Sequence, residues 1–403
     1  MTTRRALLQL AGLMSLAACD ERPAPAAASD RLIVETTDGL AVVDSTTGRA
    51  TVPAGPSVVT GDWTRLVRTD WTGKGTRLAT HELPGGEVVA GGTLRDRLEA
   101  RVVSPDGRLV ALASPKGPRS RTTVVVADSS GERVRVDLPG NLEPEAFDAT
   151  GQFLFVLDYL PPTAPDRYRV RAIDLGARAL QPLLTRTKSV VPAGAEEEMR
   201  GQGRQSVYDP VRGQLFTLYT HQPDHLHTRD LLAGARDSAP HVHAFVHTLH
   251  LTERWAYCID LPEPFGARAA EGHAIALSES GNRLCVVDAT TATLATIDPT
   301  ALNVVSVRPL PAPLDTGAAT ALLTNDGGTL VAGAGTKVLV SPLSGSPTRW
   351  STPTAVRGLA LAGPRVYVGQ DGAVTAHELT NGQLLGRTPV PNLVAVRHVI
   401  PHP

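Results

Sequence analysis

The chain repeats one short pattern of polar and apolar positions, in which a tight turn is followed by an apolar run. The turn has the form Asp/Ser/Thr-x-x-Gly, and clear copies begin at Ser104, Asp148, Ser278 and Thr324. Glycine tolerates the positive φ that such turns require, and the apolar run that follows is typical of a strand packed on both faces. A second strand follows each copy, often with a further Thr-Gly or Ser-Gly turn. The pattern therefore predicts short β-strands with almost no helix.

The spacing of the copies indicates how these strands are organised. The period is about 35–46 residues apart from one expanded region, which is the arithmetic of a four-stranded repeat unit. Inner strands are expected to start near residues 56, 98, 143, 203, 271, 317, 354 and 392. We therefore predict an all-β fold, a single β-propeller of four-stranded blades. The strand count gives eight blades, and seven, a commoner number, is the alternative.

The two ends of the repeat region are incomplete in complementary ways. Residues 31–54 carry outer strands without an inner one, whereas residues 392–399 form an inner strand without outer ones. Pairing of the N- and C-terminal strands would close the ring and remove the exposed sheet edges. The stretch from Leu284 to Pro299 is similar to the YVTN-type propeller repeat, although the strict Tyr-Val-Thr-Asn tetrapeptide is absent. This resemblance implies the fold rather than one activity, since such propellers serve many roles and some related ones are lactonases.

The first thirty residues have a different character. Arg4 and Arg5 precede an apolar run that ends in Leu16-Ala-Ala-Cys19, which is the layout of a secretory signal. These residues resemble the lipobox of bacterial lipoproteins, and the resemblance implies cleavage, diacylation of Cys19 and stable anchoring to a membrane. The Arg pair also resembles a twin-arginine motif, so export by either route stays open. We expect a signal peptide at 1–18, lipidated Cys19 with a flexible tether at 19–30, and the propeller at 31–403, outside the cytoplasm.

The charge and the cysteine content of the chain indicate which partners and cross-links to expect. The formal net charge is −1, so nothing favours a nucleic-acid partner, and a monomer is expected. Besides Cys19, the chain has Cys258 and Cys285, both within apolar strands. Buried free thiols are the favoured interpretation and a disulfide between them is the alternative.

The expanded blade, residues 186–262, has its own chemistry. Eight of the twelve histidines fall between positions 221 and 273, and Glu196-Glu-Glu198 precedes them. Strand parity predicts that the loops 188–203, 220–240 and 161–167 emerge on the same end of the propeller, near the mouth of the central channel. Long loops with distinct composition in a compact fold are typically functional or disordered.

Several spacings in these loops suit a metal ion. His221-x3-His225 would place both rings on one face of a helical turn, and His241-x-His243 would place both on one side of a strand. Imidazole suits zinc, copper or nickel, and zinc and copper are the candidate cofactors. The candidate ligands are His221, His225, His227, His241, His243 and Glu197.

These spacings lack a stronger motif, so a solvated insertion with a few buried histidines remains the alternative. For the glutamate run, a solvated loop is the simpler interpretation. Arg200 and Arg204 flank Gly-Gln-Gly and could clamp a carboxylate or phosphate, or could pair with the neighbouring glutamates.

Three functions are compatible with this sequence. The first is a membrane-anchored binding module that holds a protein, a small molecule or a metal through the His/Glu-rich loops, with no catalysis required. The second is a lactonase-like hydrolase that uses a metal at the channel mouth. The third is a structural envelope lipoprotein.

Overall fold

The computed structural model describes residues 29–200, 202–222, 225–235, 244–311, 313–342 and 345–402, and almost all of the secondary structure in them is β-strand. The predicted leader and most of the predicted tether lie outside these residues. The strands, in chain order, are β1 (Arg31–Thr36), β2 (Gly39–Asp44), β3 (Ala50–Gly55), β4 (Ser57–Val59), β5 (Arg65–Trp71), β6 (Thr76–Glu82), β7 (Val88–Leu94), β8 (Glu99–Val103), β9 (Val110–Ala113), β10 (Arg121–Asp128), β11 (Gly131–Pro139), β12 (Asn141–Phe147), β13 (Phe153–Leu160), β14 (Arg167–Asp174), β15 (Ala179–Gln181), β16 (Gln202–Asp209), β17 (Gln214–Thr220), β18 (Ala244–His250), β19 (Trp255–Asp260), β20 (His273–Leu277), β21 (Leu284–Asp288), β22 (Thr293–Asp298), β23 (Asn303–Pro309), β24 (Thr320–Leu323), β25 (Thr329–Ala334), β26 (Lys337–Pro342), β27 (Thr348–Ser351), β28 (Leu359–Ala362), β29 (Arg365–Gln370), β30 (Ala373–Glu378), β31 (Leu384–Pro389) and β32 (Leu393–Ile400). A short helix α1 (Thr228–Leu232) lies between β17 and β18, and a 3₁₀ turn (Ala270–Gly272) precedes β20.

These strands form eight four-stranded antiparallel sheets, which are the blades of a propeller. Blade 1 contains β1–β3 and β32, blade 2 contains β4–β7, and each later blade takes the next four strands, so that blade 4 is β12–β15 and blade 5 is β16–β19. Innermost strands of neighbouring blades contact one another, for example β4 with β8, β16 with β20 and β28 with β32. The prediction of an all-β propeller with eight blades is confirmed, and the alternative of seven is wrong.

The ring closes through the two ends of the chain. β1 pairs with β32 in an antiparallel register that joins Arg31 to Ile400 and Leu32 to Val399. Asp30 is fully buried at this junction, where its carboxylate accepts hydrogen bonds from the Tyr367 hydroxyl and from the backbone N–H of His402. The predicted pairing of the N- and C-terminal strands is therefore confirmed.

Burial follows the predicted pattern of central apolar strands. Every residue of β9 and of β21 is buried, whereas the outermost strands β7 and β31 are mostly exposed. The turn glycines before the apolar runs have the positive φ that the pattern requires, for example +71° at Gly107 and +69° at Gly151. Apolar side chains of facing sheets pack together between blades and form the core.

Cys258 in β19 and Cys285 in β21 are both buried with free thiols. The expectation of buried free thiols is confirmed, and the alternative of a disulfide between them is not realised. Within the described residues, no helix has both the length and the apolar character needed to cross a bilayer.

Candidate metal centre

The insertion before β16, residues 188–200 of the described chain, packs against blade 4. The backbone groups of Met199 and Tyr168 exchange two hydrogen bonds, of 3.0 and 2.8 Å, which ties the insertion to β14. Val191, Ala195 and Met199 of the insertion are themselves buried. An insertion that buries its own apolar side chains and forms backbone hydrogen bonds with a strand is an ordered part of the fold.

The three consecutive glutamates of this insertion have contacts that alternate between blade 4 and blade 5. Glu196 binds Arg169 and Arg171 of β14 at 3.0 and 2.6 Å, and Glu198 binds Arg167 at 2.7 Å. Glu197 faces the opposite way, into blade 5. The interpretation of the run as a solvated loop is therefore wrong, because two members form ion pairs with β14 and the third is almost completely buried.

Glu197 meets two histidines that come from the loop between β17 and β18. His225 Nε2 lies 2.7 Å from Glu197 Oε1, and His227 Nδ1 lies 3.1 Å from the same oxygen. The two ring nitrogens are 3.2 Å apart. The side chains are 1% exposed for His225, 4% for His227 and 9% for Glu197. We call these three residues the Glu–His cluster, and one donor atom from each lies within 4.8 Å of the others.

Neighbouring groups hold the Glu–His cluster in place. His227 Nε2 lies 2.6 Å from Asp260 Oδ1, and Arg229 binds the other oxygen of Asp260. The ring of His225 stacks on Phe245 of β18 with 4.4 Å between centroids. The thiol of Cys258 donates to Glu197 Oε1 at an Sγ–O distance of 2.8 Å. The cluster thus lies on the outer strands β18 and β19, not at the mouth of the central channel, and the predicted position there is wrong.

The local backbone conformation explains where the ring of His227 lies. His227 is extended, with φ −70° and ψ 155°, and it caps the N-terminus of α1. The backbone N–H of His227 donates to Asp230 in the first turn, an interaction typical of a capping box. The cap therefore fixes where the ring of His227 lies before the helix begins.

The electrostatics of the cluster are those of a buried charge network. Burial alone raises the pKa of the Glu197 carboxyl, but hydrogen bonds from His225 and His227 hold it well below its usual range. Burial opposes protonation of His227, whereas its bonds to Asp260 and Glu197 raise its pKa to about 9. Burial and the adjacent Glu197 carboxylate raise the pKa of the Cys258 thiol well above its usual range.

These groups have the chemistry of a transition-metal site. Two imidazole nitrogens and a carboxylate oxygen are three of the ligand atoms that zinc takes in proteins. The pair formed by Asp260 and His227 matches the carboxylate–histidine arrangement that orients a metal-bound imidazole from outside the first coordination sphere. His225 turns Nε2 toward Glu197, so Nε2 is the atom that would bind a metal ion. The other ring nitrogen of His225, Nδ1, is buried without a hydrogen-bond partner.

The other histidines predicted as metal ligands are not part of the Glu–His cluster as the structure describes it. His221 is not in the cluster: its backbone has a positive φ (+59°) and its ring lies 6.4 Å from the ring of His273. The described residues of this segment do not support the helical turn expected to join His221 to His225, because the positive φ of His221 is not helical and α1 starts only at Thr228. His241 and His243 lie outside the described residues.

Of the two arginines predicted to bind a ligand, the structure describes the side chain of Arg200 alone. The backbone N–H of Arg200 donates to the side chain of Gln222 at 2.9 Å, and the Arg200 side chain lines an open cavity of about 390 Å³. Among the described residues, the ion-pair partners of Glu196 and Glu198 are arginines of β14, and Arg200 is not one of them. The side chain of Arg204 lies outside the described residues. His225 and Gln222 line the same cavity, which therefore reaches one edge of the Glu–His cluster.

Sequence reasoning did not find three residues beside the cluster, namely Cys258, Asp260 and Arg229. Cys258 and Asp260 stand two positions apart in β19 and so share a face of the strand. The two-residue spacing is visible in the sequence. Several other strands also end in an aspartate, however, so the sequence does not single out Asp260.

Comparisons with known proteins bear on the fold. No protein-family model matches the chain, and no curated protein does. The structure of apo AztD from Citrobacter koseri aligns over 93% of this chain and 98% of that chain, with 10% identity and a TM-score of 0.54. Dihydro-heme d1 dehydrogenase NirN in complex with DHE aligns over 91% of this chain and 74% of that one, with 14% identity and a TM-score of 0.46. At 10% identity the likeness to AztD concerns the fold alone, and it supports a β-propeller.

Proposed function

We propose that this chain is a membrane-tethered, extracytoplasmic propeller that binds a divalent transition-metal ion, zinc in the first place, through Glu197, His225 and His227. One observation carries the proposal. Two loops that are separate in sequence bring two imidazole nitrogens and a carboxylate oxygen together in a buried position, with donor atoms within 4.8 Å of one another.

The distance between the two ring nitrogens suits a shared metal ion. Two nitrogens bound to one zinc ion at about 2.0–2.1 Å stand roughly 3.3 Å apart in a tetrahedral geometry. The ring nitrogens of His225 and His227 are already 3.2 Å apart. Only small movements of the rings are needed for both to reach one ion.

The tether is proposed from the leader. The lipobox-like Leu16-Ala-Ala-Cys19 and the Pro/Ala-rich residues after it support a lipid-anchored protein outside the cytoplasm. Labelling with a radioactive or alkyne-tagged fatty acid in a bacterial host tests this part separately. Incorporation that disappears in Cys19→Ser supports it, and incorporation that persists there contradicts it.

Metal binding is tested by elemental analysis and by zinc titration against a competing chromophoric chelator. The full chain with Cys19→Ser is the parent, and it carries no affinity histidine tag. We expect one equivalent of zinc in the parent, loss of this zinc in His225→Gln, and retention in His221→Gln, a matched control from the same loop. No binding of zinc, cobalt or copper by the parent, or equal binding by both variants, would overturn the proposal.

A second candidate, metal-assisted hydrolysis, is favoured by one feature. The cavity of about 390 Å³ is large enough for a small substrate, and His225 forms part of its wall. Turnover of a lactone and aryl-ester panel by the zinc-loaded parent, absent in His225→Gln, would support it. Zinc binding without any turnover leaves the binding module as the function.

A further inference from the structure

A fourth potential ligand touches the Glu–His cluster. Cys258 Sγ lies 2.8 Å from Glu197 Oε1, and this is the oxygen that His225 Nε2 and His227 Nδ1 also contact, at 2.7 and 3.1 Å. One carboxylate oxygen is therefore surrounded by two nitrogens and a sulfur. Cys258 is only 3% exposed, so its thiol has no contact with bulk solvent.

The strand β19 fixes the thiol there. Cys258 pairs with His247 of β18, and Asp260 pairs with Phe245. Alternation along the strand places Cys258 and Asp260 on one face, so β19 presents to the cluster both the thiol and the carboxylate that holds His227. The second free cysteine, Cys285, is buried in blade 6 among apolar residues such as Leu330 and Ala332.

Beside Glu197 there is also room for its carboxylate to move. A void of about 30 Å³ is lined by Glu197, Thr228, His247 and Ala256. On this side, Glu197 Oε2 accepts one long hydrogen bond of 3.3 Å from the backbone N–H of Thr228. A shift of the carboxylate into the void would free the position between the nitrogens and the sulfur while one oxygen stays close to it.

We propose that Cys258 is the fourth protein ligand, so that the metal ion is held by Glu197, His225, His227 and the Cys258 thiolate. This inference rests on the proposed function. On binding, a metal–sulfur bond replaces the S–H bond and the thiol proton passes to solvent. Zinc sites with four protein ligands are closed, whereas catalytic sites keep an open position. The inference therefore favours a propeller that holds metal over a hydrolase, and the soft thiolate favours zinc, cobalt or copper(I) over magnesium or manganese.

Cobalt(II) absorption tests this directly. A thiolate ligand produces an intense sulfur-to-cobalt charge-transfer band in the near ultraviolet, which nitrogen and oxygen ligands do not give. The parent is again the full chain with Cys19→Ser, compared with Cys258→Ser and with the matched control Cys285→Ser. We expect the band in the parent and in Cys285→Ser, and its loss in Cys258→Ser. We also expect zinc affinity in Cys258→Ser to fall by at least the roughly 10–100-fold that the loss of an outer partner costs.

The outcomes separate the two proposals. Cobalt bound by the parent without the charge-transfer band overturns the fourth ligand and leaves the proposed function standing. No cobalt or zinc binding by the parent overturns both. Should Cys258→Ser fail to fold, X-ray absorption of the zinc-loaded parent decides: a sulfur neighbour at about 2.3 Å supports the proposal, and a shell of nitrogen and oxygen alone overturns it.

Discussion

Two neighbouring glutamates of the same insertion provide a stringent test of how this site is supported. Glu196 is 8% exposed and binds both Arg169 and Arg171, whereas Glu198 is 37% exposed and binds Arg167. Glu196→Gln removes the charge shared by two arginines, while Glu198→Gln removes one partner of an exposed pair. Both substitutions replace a glutamate by a glutamine, so the two sites differ in their burial and in the number of arginines that they bind.

The expected magnitudes differ accordingly. Breaking a buried ion pair by neutralising one partner destabilises a protein by about 3–5 kcal/mol. Exposed pairs contribute about 0–1 kcal/mol. Because Asp158 also binds Arg169, at 3.0 Å, and a glutamine amide still accepts a hydrogen bond, we expect about 3 kcal/mol for Glu196→Gln and less than about 1 kcal/mol for Glu198→Gln.

The assay is urea unfolding followed by tryptophan fluorescence, with EDTA present, because bound metal would stabilise the native state. Zinc affinity, measured by competition in a separate experiment without EDTA, should also fall in Glu196→Gln, since the segment that carries Glu197 loses its attachment to β14. Equal destabilisation by the two variants, or a larger effect of Glu198→Gln, would refute the reasoning from burial.

Two further predictions concern His227 and the aspartate that holds it. Asp260→Asn should lower zinc affinity by about 10–100-fold. Asp298→Asn should leave the affinity unchanged in the same competition titration, because Asp298, which also closes a strand, accepts hydrogen bonds from its own turn in another blade. The pKa of His227 is raised from 6.5 to about 9. Protonated His227 therefore stabilises the metal-free fold in full below pH 6.5, and this contribution is lost as the pH rises through 9. The difference in the free energy of unfolding between the parent and His227→Gln, both in EDTA, should shrink over this range, and a constant difference would contradict the assigned contacts.

The sequence by itself determined the propeller. The turn glycines, the apolar runs and the incomplete ends repeat at a regular interval, and each copy must bury its faces against the next, so period and pattern lead to eight blades. The same local logic singled out the expanded blade and included Glu197, His225 and His227 among the candidates.

Only the tertiary structure decided which candidates meet. The helical spacing of His221 and His225 was misleading, because His227 caps α1 in an extended conformation and His221 turns toward His273 instead. Glu197 joins the histidines because Glu196 and Glu198 bind β14 and force it to face blade 5. Cys258 and Asp260 look in the sequence like an ordinary core thiol and a strand-closing turn residue. Their role depends on contacts between segments about 30–60 residues apart, and no periodicity encodes which loop lies over which strand.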